Sequence, residues 1–261
     1  MPVIKARRSG IGLITLDNPK ALNAWDTAMQ QDVTNTVRQF DADDEVQAVV
    51  ITGAGERAFC SGQDLDEISR FGSSDVAGWL DNFKQLYDAI LSAKKPVIAA
   101  VNGIAVGSGY QLALVCDVRV AHGGVRLGQP EVSSGIPSVT GQFLTAQSLG
   151  HSRTVELMLS GRLMDAAEAH QVGLIHALVA PTEVLDAACE YGRELARQPK
   201  LAFQLTKRRI RDQMWPGLLE CFEVALEIDE QAWASGEPQE TARQFFSDRG
   251  ARTSKGAPAV N

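Results

Sequence analysis

Apolar residues recur along the chain in two rhythms, and the change from one to the other divides it. Val3 to Arg8 and Ile11 to Leu16 are short strand-like runs flanking Ser9-Gly10, a pair that favours tight reversal, so a β-hairpin is predicted there. Asp26 stands where a helix N-cap belongs. After it Met29, Val33, Val37 and Phe40 fall at spacings of three and four, which predicts a helix to about Phe40. Gln47 to Thr52, QAVVIT, reads as a buried strand. Asp75 then opens a helical stretch to about Ser92, Pro96 punctuates, and Val97 to Val101 is a second apolar strand followed by glycines and another helix. From about His151 the rhythm becomes helical, with Gly150, Gly161, Gly173 and Pro199 between the helices and only Ala177 to Val179 reading as strand. An α/β first half gives way to a mostly helical last third. The residues after Gly250 have the small and polar composition of a frayed terminus.

Length and composition leave this picture intact and remove several alternatives. A chain of 261 residues, 44% hydrophobic and 22% charged, buries enough surface to fold without disulfide or metal. Its net charge of −7 gives no general attraction to nucleic acid or an anionic membrane. Cys60, Cys116, Cys189 and Cys221 are far apart and form no CxxC pair, which fits reduced thiols in a cytoplasmic protein. The histidines, His122, His151, His170 and His176, match no zinc spacing, so no metal is expected. The opening MPVIKARRSG has no apolar core of a signal peptide, and no apolar run reaches the roughly 18 residues of a membrane helix. The basic run Lys207, Arg208, Arg209 and Arg211 lacks interleaved aromatics and reads as a solvated helix face or a phosphate contact rather than an RNA site.

GAGERA at Gly53 to Ala58 matches a dinucleotide fingerprint on paper, but Phe59-Cys60-Ser61-Gly62 follows where the helix N-terminus should receive the phosphate. Three other pieces carry more chemistry. AFCSGQDL (Ala58 to Leu65) places Gly62 in a loop after a buried strand. VNGIAVGSGYQLALVCD (Val101 to Asp117) repeats the arrangement with Gly103, Gly107 and Gly109 before an apolar helix. Two such junctions with bare backbone donors, one at a helix N-terminus, suit an enolate or oxyanion, each donor being worth about 3 kcal/mol of barrier. The third piece, LGQPEVSSGIPS (Leu127 to Ser138), sets Glu131 between Pro130 and a Ser/Gly loop.

In order, NPKALNA (Asn18 to Ala24), AFCSGQDL, VNGIAVGSG, QPEV with GIPS, and SGRLMDAAEAHQVGLIHALV (Ser160 to Val179) resemble the crotonase family, the enoyl-CoA hydratases and isomerases, from about Val3 to past Arg211. The resemblance implies an α/β fold, a crotonase-like spiral of ββα units over residues 1–198 that carries an acyl-CoA site. It implies a C-terminal helical trimerisation region over 199–250, a flexible tail over 251–261, and a homotrimer or dimer of trimers. It further implies that the backbone N–H groups of Gln63 and Ser108 form an oxyanion hole for an acyl-CoA thioester and that Glu131 is the acid/base. Lys20, Ala21, Leu22, Asp64 and Leu65 fall on positions lining the CoA groove. No separate cofactor is implied, because coenzyme A is part of the substrate.

Where hydratases of the family carry a second glutamate, this chain has Gln111. Hydration is helped by two carboxylates, whereas moving a double bond between the 3 and 2 positions needs one base, and an amide cannot ionise. Gln111 therefore tilts the expectation towards double-bond isomerisation, with hydration beside it, then hydrolysis, decarboxylation or non-catalytic acyl-CoA binding. Ser108 to Gln111 also reads as an SxxQ capping box. IPSVTGQFL brings Ser138, Val139 and Thr140 near an acyl chain, Ser133 and Ser134 could bond a polar acyl substituent, and FGSSDV (Phe71 to Val76) has the content of a flap.

Overall fold

In a computed structural model that describes residues 3–244, the hairpin forms as predicted. Strands β1 (Val3–Arg8) and β2 (Ile11–Leu16) are antiparallel, and Ser9 and Gly10 turn with φ of 49° and 80°. Positive φ at both turn residues matches the right-handed twist of the strands. Next come α1 (Thr27–Ala42), β3 (Ala48–Gly53), β4 (Ala58–Cys60), the short α2 (Leu65–Ile68), α3 (Val76–Leu91), β5 (Val97–Val101), β6 (Ile104–Val106) and α4 (Ser108–Val115). They are followed by β7 (Val118–His122), β8 (Arg126–Gly128), α5 (Val139–Leu149), α6 (His151–Ser160), β9 (Leu163–Asp165), α7 (Ala166–Gln171), β10 (Ala177–Val179), α8 (Val184–Ala196) and α9 (Lys200–Ser235). Residues 237–244 are helical again. The tail expected after Gly250 lies outside the described residues.

The longer strands, with the three-residue β10 at the edge, make one sheet in the order β1-β2-β3-β5-β7-β10, parallel from β2 onward. The other short ones make a second sheet, β4-β6-β8-β9. Three successive turns of the chain, opening at β3, β5 and β7, thus run long strand, short strand, helix, which is the expected ββα spiral. The loop after β3 leads into β4, and no helix begins in it. Strands β4, β6, β8 and β9 were not separable in the sequence, because runs of three residues carry no measurable period; the equally short β10 was read only by its contrast with the helical stretches around it.

The parallel strands β3 and β5 are almost wholly apolar because both faces are covered. Ala48, Val50, Ile98, Ala100 and Val120 face α8 through Val184, Ala188 and Cys189, while Val49, Ile51, Val97, Ala99 and Val101 face the larger core under α1 and α3. Asp26 caps α1 by accepting from Met29 N. Asp75 does not cap α3; it reaches back to accept from Gly72 N at 2.8 Å and closes a 3-10 turn over Ser73–Asp75. The FGSSDV segment is held at one end, where Gln239 donates to Phe71 O at 3.0 Å.

Buried Arg119 on β7 donates to Leu174 O and to Ala113 O and Cys116 O at the C-terminus of α4, where carbonyls lack partners and a cation is favoured. The basic run on α9 is not a single face. Lys207 is buried against Asp117 (2.6 Å) and Lys95 O (3.0 Å), and Arg211 pairs with Asp88 and lies over the Trp215 ring. Arg208 and Arg209 are exposed. Among the described residues no helix is long and apolar enough to cross a membrane, and no group of three or more His, Cys, Asp or Glu could hold a metal ion.

Candidate active site

The two strand-to-helix junctions meet. A Cβ built on Gly62 (φ +94°) would lie 3.1 Å from Val106 O and 3.5 Å from Ser108 N. One built on Gly107 (φ +60°) would lie 2.8 Å from Glu131 Oε1 and 3.8 Å from Gly62 Cα. Only glycine allows both the backbone conformation and this approach. Gln63 forms a parallel bridge with Trp25, in which Trp25 N donates to Gly62 O and Asp64 N to Trp25 O. In such a bridge the residue between the two bonded ones turns its own N–H to the opposite side. Ser108 is the first residue of α4, whose opening bond is Gln111 N to Gly107 O, so its N–H lies among the donors a helix leaves unused.

The side chains of these two residues are engaged elsewhere. Gln63 Oε1 accepts from Gln30 Nε2 at 2.6 Å and its amide donates to Glu67, while Ser108 Oγ accepts from Trp25 Nε1 at 2.8 Å. The capping box read from Ser108 and Gln111 does not form. Ser108 sits one residue inside the helix, Gly107 is the N-cap, and no side chain caps it. Gln111 Oε1 instead accepts from Tyr87 OH at 2.7 Å and Thr140 Oγ1 at 2.9 Å.

Glu131 opens a 3-10 turn, Glu131–Ser134, after β8. Its Oε2 is buried with no hydrogen-bond partner among the described residues. Burial pushes its carboxyl up from 4.5 to about 8, a backbone hydrogen bond opposing weakly. Burial likewise raises the Cys60 thiol to about 12, so this neighbour is no nucleophile at neutral pH.

A cavity of about 110 Å³ gathers Gln63, Leu65, Ser108, Gln111 and Glu131 on its walls, along with Ser134, Ser138, Val139 and Thr140. Ser133 is not on the wall; its Oγ stands against Gly161. Lys20, Ala21, Leu22 and Asp64 do not line the cavity. Ala21 O and Leu22 O accept from Ser61 Oγ and N, which fastens the Pro19–Ala21 turn to the cavity's edge. Lys20 is exposed on that turn, and Asp64 caps α2 by accepting from Asp66 N and Glu67 N. Asn23, fully buried in the left-handed conformation, holds this loop through Asn18 N, Ala54 O and Ala58 O.

Several wall residues escaped the sequence reading, among them two aromatics and a carboxyl. Trp79 and Phe83 lie on α3 and Asp229 on α9. The aromatics looked like ordinary core positions. Asp229 had a signal that went unused: it interrupts the buried stripe Leu218, Phe222, Ala225, Trp233 at helical spacing.

The profile of one family, enoyl-CoA hydratase/isomerase, matches residues 6–252. The chain belongs to that family. It is 34% identical over 240 residues to a probable enoyl-CoA hydratase of Rhizobium meliloti (strain 1021), covering 92% of each chain. It is 32% identical over 209 residues to the carboxymethylproline synthase of Pectobacterium carotovorum subsp. carotovorum, covering 80% of this chain and 84% of that one. Among solved structures, a carnitinyl-CoA dehydratase from Mycobacterium avium 104 superimposes with a TM-score of 0.83 at 31% identity, covering 93% and 96% of the two chains. The crotonase family is an enzyme family, and the mixed α/β architecture with a helical C-terminal region agrees with its members. The relatives' names cover a hydratase, a synthase and a dehydratase, so the reaction must be argued from the site.

Proposed function

We propose that the cavity takes an acyl-CoA thioester, that the N–H groups of Gln63 and Ser108 bind its carbonyl oxygen as negative charge develops, and that Glu131 moves the proton. The observation that carries this reading is the approach of Gly62 to Gly107, with Glu131 Oε1 lying against Gly107, the N-cap of α4. Preorganised backbone donors stabilise an enolate without reorganising as it forms. A carboxyl raised to about 8 exchanges its proton near neutral pH.

Double-bond movement is the favoured reaction. Glu131 removes a proton from C2 of a 3-enoyl thioester, the electrons pass into the thioester carbonyl as a dienolate, and Glu131 returns the proton at C4, so base and atoms balance. Gln111 supports the one-base reading, because Tyr87 and Thr140 both donate to its oxygen and leave it only N–H donors. A group that offers only donors orients a water but cannot take its proton. Hydration, the activity named for the Rhizobium relative, is the second reading.

Lys20, Ala21, Leu22, Asp64 and Leu65 are assigned to the CoA groove, with Lys20 exposed to meet phosphate. No separate cofactor or metal enters the scheme, and the helices from residue 199 are assigned to trimer contacts. Matched 2-enoyl- and 3-enoyl-CoA thioesters, followed by the absorbance of the conjugated thioester with Glu131→Gln alongside, test the reading. Gain of absorbance from the 3-enoyl substrate supports isomerisation and loss from the 2-enoyl substrate supports hydration. Full activity of Glu131→Gln would overturn both.

A further inference from the structure

The cavity holds a second carboxyl that the proton transfer does not use. Asp229 is 3% exposed, and its Oδ1 is buried with no hydrogen-bond partner among the described residues. Trp79 Nε1, on the same wall, is a buried donor equally without a partner. The Trp233 ring, one helical turn beyond Asp229, packs on Trp79 at 5.2 Å, and Phe222 packs on Tyr87 at 6.0 Å. These two contacts make α3 and α9 antiparallel and put Asp229 towards the Trp79 end of α3. Gln111 bonds the opposite end, at Tyr87. Trp79 and Tyr87 are separated by about 12 Å of helix. Asp229 thus stands along the cavity from Gln111, where the distal part of a bound acyl group would reach.

Ligand chemistry follows from what the two orphaned groups lack. Asp229 needs a donor and the Trp79 indole needs an acceptor. A plain alkyl end would leave both unsatisfied in a dry site, where buried polar groups are costly. A carboxylate end offers only acceptors and would crowd a second carboxyl against Asp229, which burial already raises to about 7. An ammonium end would satisfy Asp229 and offer the indole nothing. A hydroxyl alone offers a donor and an acceptor together.

We propose that this end of the cavity selects acyl-CoA substrates whose acyl chain carries a hydroxyl remote from the thioester, its O–H donated to Asp229 and its oxygen accepting from Trp79 Nε1. The inference rests on the acyl-CoA reading of the cavity and names its substrate class.

Saturated thioesters, which undergo no double-bond chemistry, test it by calorimetric binding. The probes are butyryl-, pentanoyl- and hexanoyl-CoA, each beside its terminally hydroxylated and terminally aminated counterpart. For the native chain the hydroxyl should tighten binding about tenfold or more at one of these lengths. Asp229→Leu should bring that ratio to about one, and Trp79→Phe, which keeps the ring and removes the N–H, should lower it severalfold. If Asp229→Leu does not fold, Asp229→Asn replaces it, and Trp79→Phe still decides. Equal binding of hydroxylated and plain chains at every length, a preference that survives both substitutions, or tighter binding of the amino chain would overturn the inference while leaving the acyl-CoA reading standing. Failure of every thioester to bind would overturn the acyl-CoA reading itself and the inference with it.

Discussion

Replacing Glu131 by Gln keeps the shape of the side chain and removes its ionisation, so it separates what the carboxyl does for chemistry from what it does to stability. In the folded chain burial raises the carboxyl from 4.5 to about 8. Each pH unit between those values is worth about 1.4 kcal/mol, so ionising Glu131 in place costs roughly 5 kcal/mol. Between the two values the folded chain holds a proton that the unfolded chain has released. Stability therefore falls as pH rises through that window and is level below and above it. Gln carries no such penalty. The stability gained by Glu131→Gln should be near zero at the lower end of the window, about 3 kcal/mol at pH 7, and level off near 5 kcal/mol above pH 9. Turnover should fall by about 10²- to 10⁴-fold over the same range. Urea unfolding of both proteins at one protein concentration across pH 4.5 to 9.5, with initial rates on the enoyl thioesters, measures both. A stability difference that is flat with pH, or that shrinks as pH rises, would show that Glu131 is not a desolvated carboxyl, and unchanged turnover would remove it from the chemistry.

On the one-base scheme kcat/KM should climb about tenfold per pH unit up to about 8 and then level, because only ionised Glu131 removes the C2 proton; a profile that is level from pH 6 would contradict this. Gly107→Ala puts a methyl group 2.8 Å from Glu131 Oε1 at φ +60°; it should cost about 1–3 kcal/mol of stability and at least about tenfold in kcat, measured by urea unfolding and steady-state rates. Asn23→Ala removes the side-chain bonds to Ala54 O, Ala58 O and Asn18 N, and a loss of about 2–3 kcal/mol is expected, with a raised KM as the Pro19–Ala21 turn loosens. Tyr87→Phe frees one bond on Gln111 Oε1 and should lower kcat severalfold with KM little changed; an effect confined to stability would make Tyr87 purely structural.

The elements were legible wherever a period could be read. The apolar stripes of α1 and α3, the largely apolar β3, the all-apolar β5 and the Ser9-Gly10 turn are local patterns, and their local physics survives in the fold. The candidate site was legible in its glycines, because a glycine-rich stretch after a strand announces backbone that must come close to something. What the sequence alone determined is thus the α/β rhythm, the two glycine junctions and the presence of one carboxylate and one amide at suggestive places. Tertiary structure decided what each of them meets. Gln111 looked like a cap and is instead held by Tyr87 and Thr140, 24 and 29 residues away in the chain. Lys207, read as part of a solvated face, closes on Asp117 across 90 residues, and Asp229, on a far helix, joins the wall of a cavity begun at Gln63. Periodicity records how a residue is placed on its own element, whereas a partner across the fold is chosen by packing between elements, which one linear pattern does not encode.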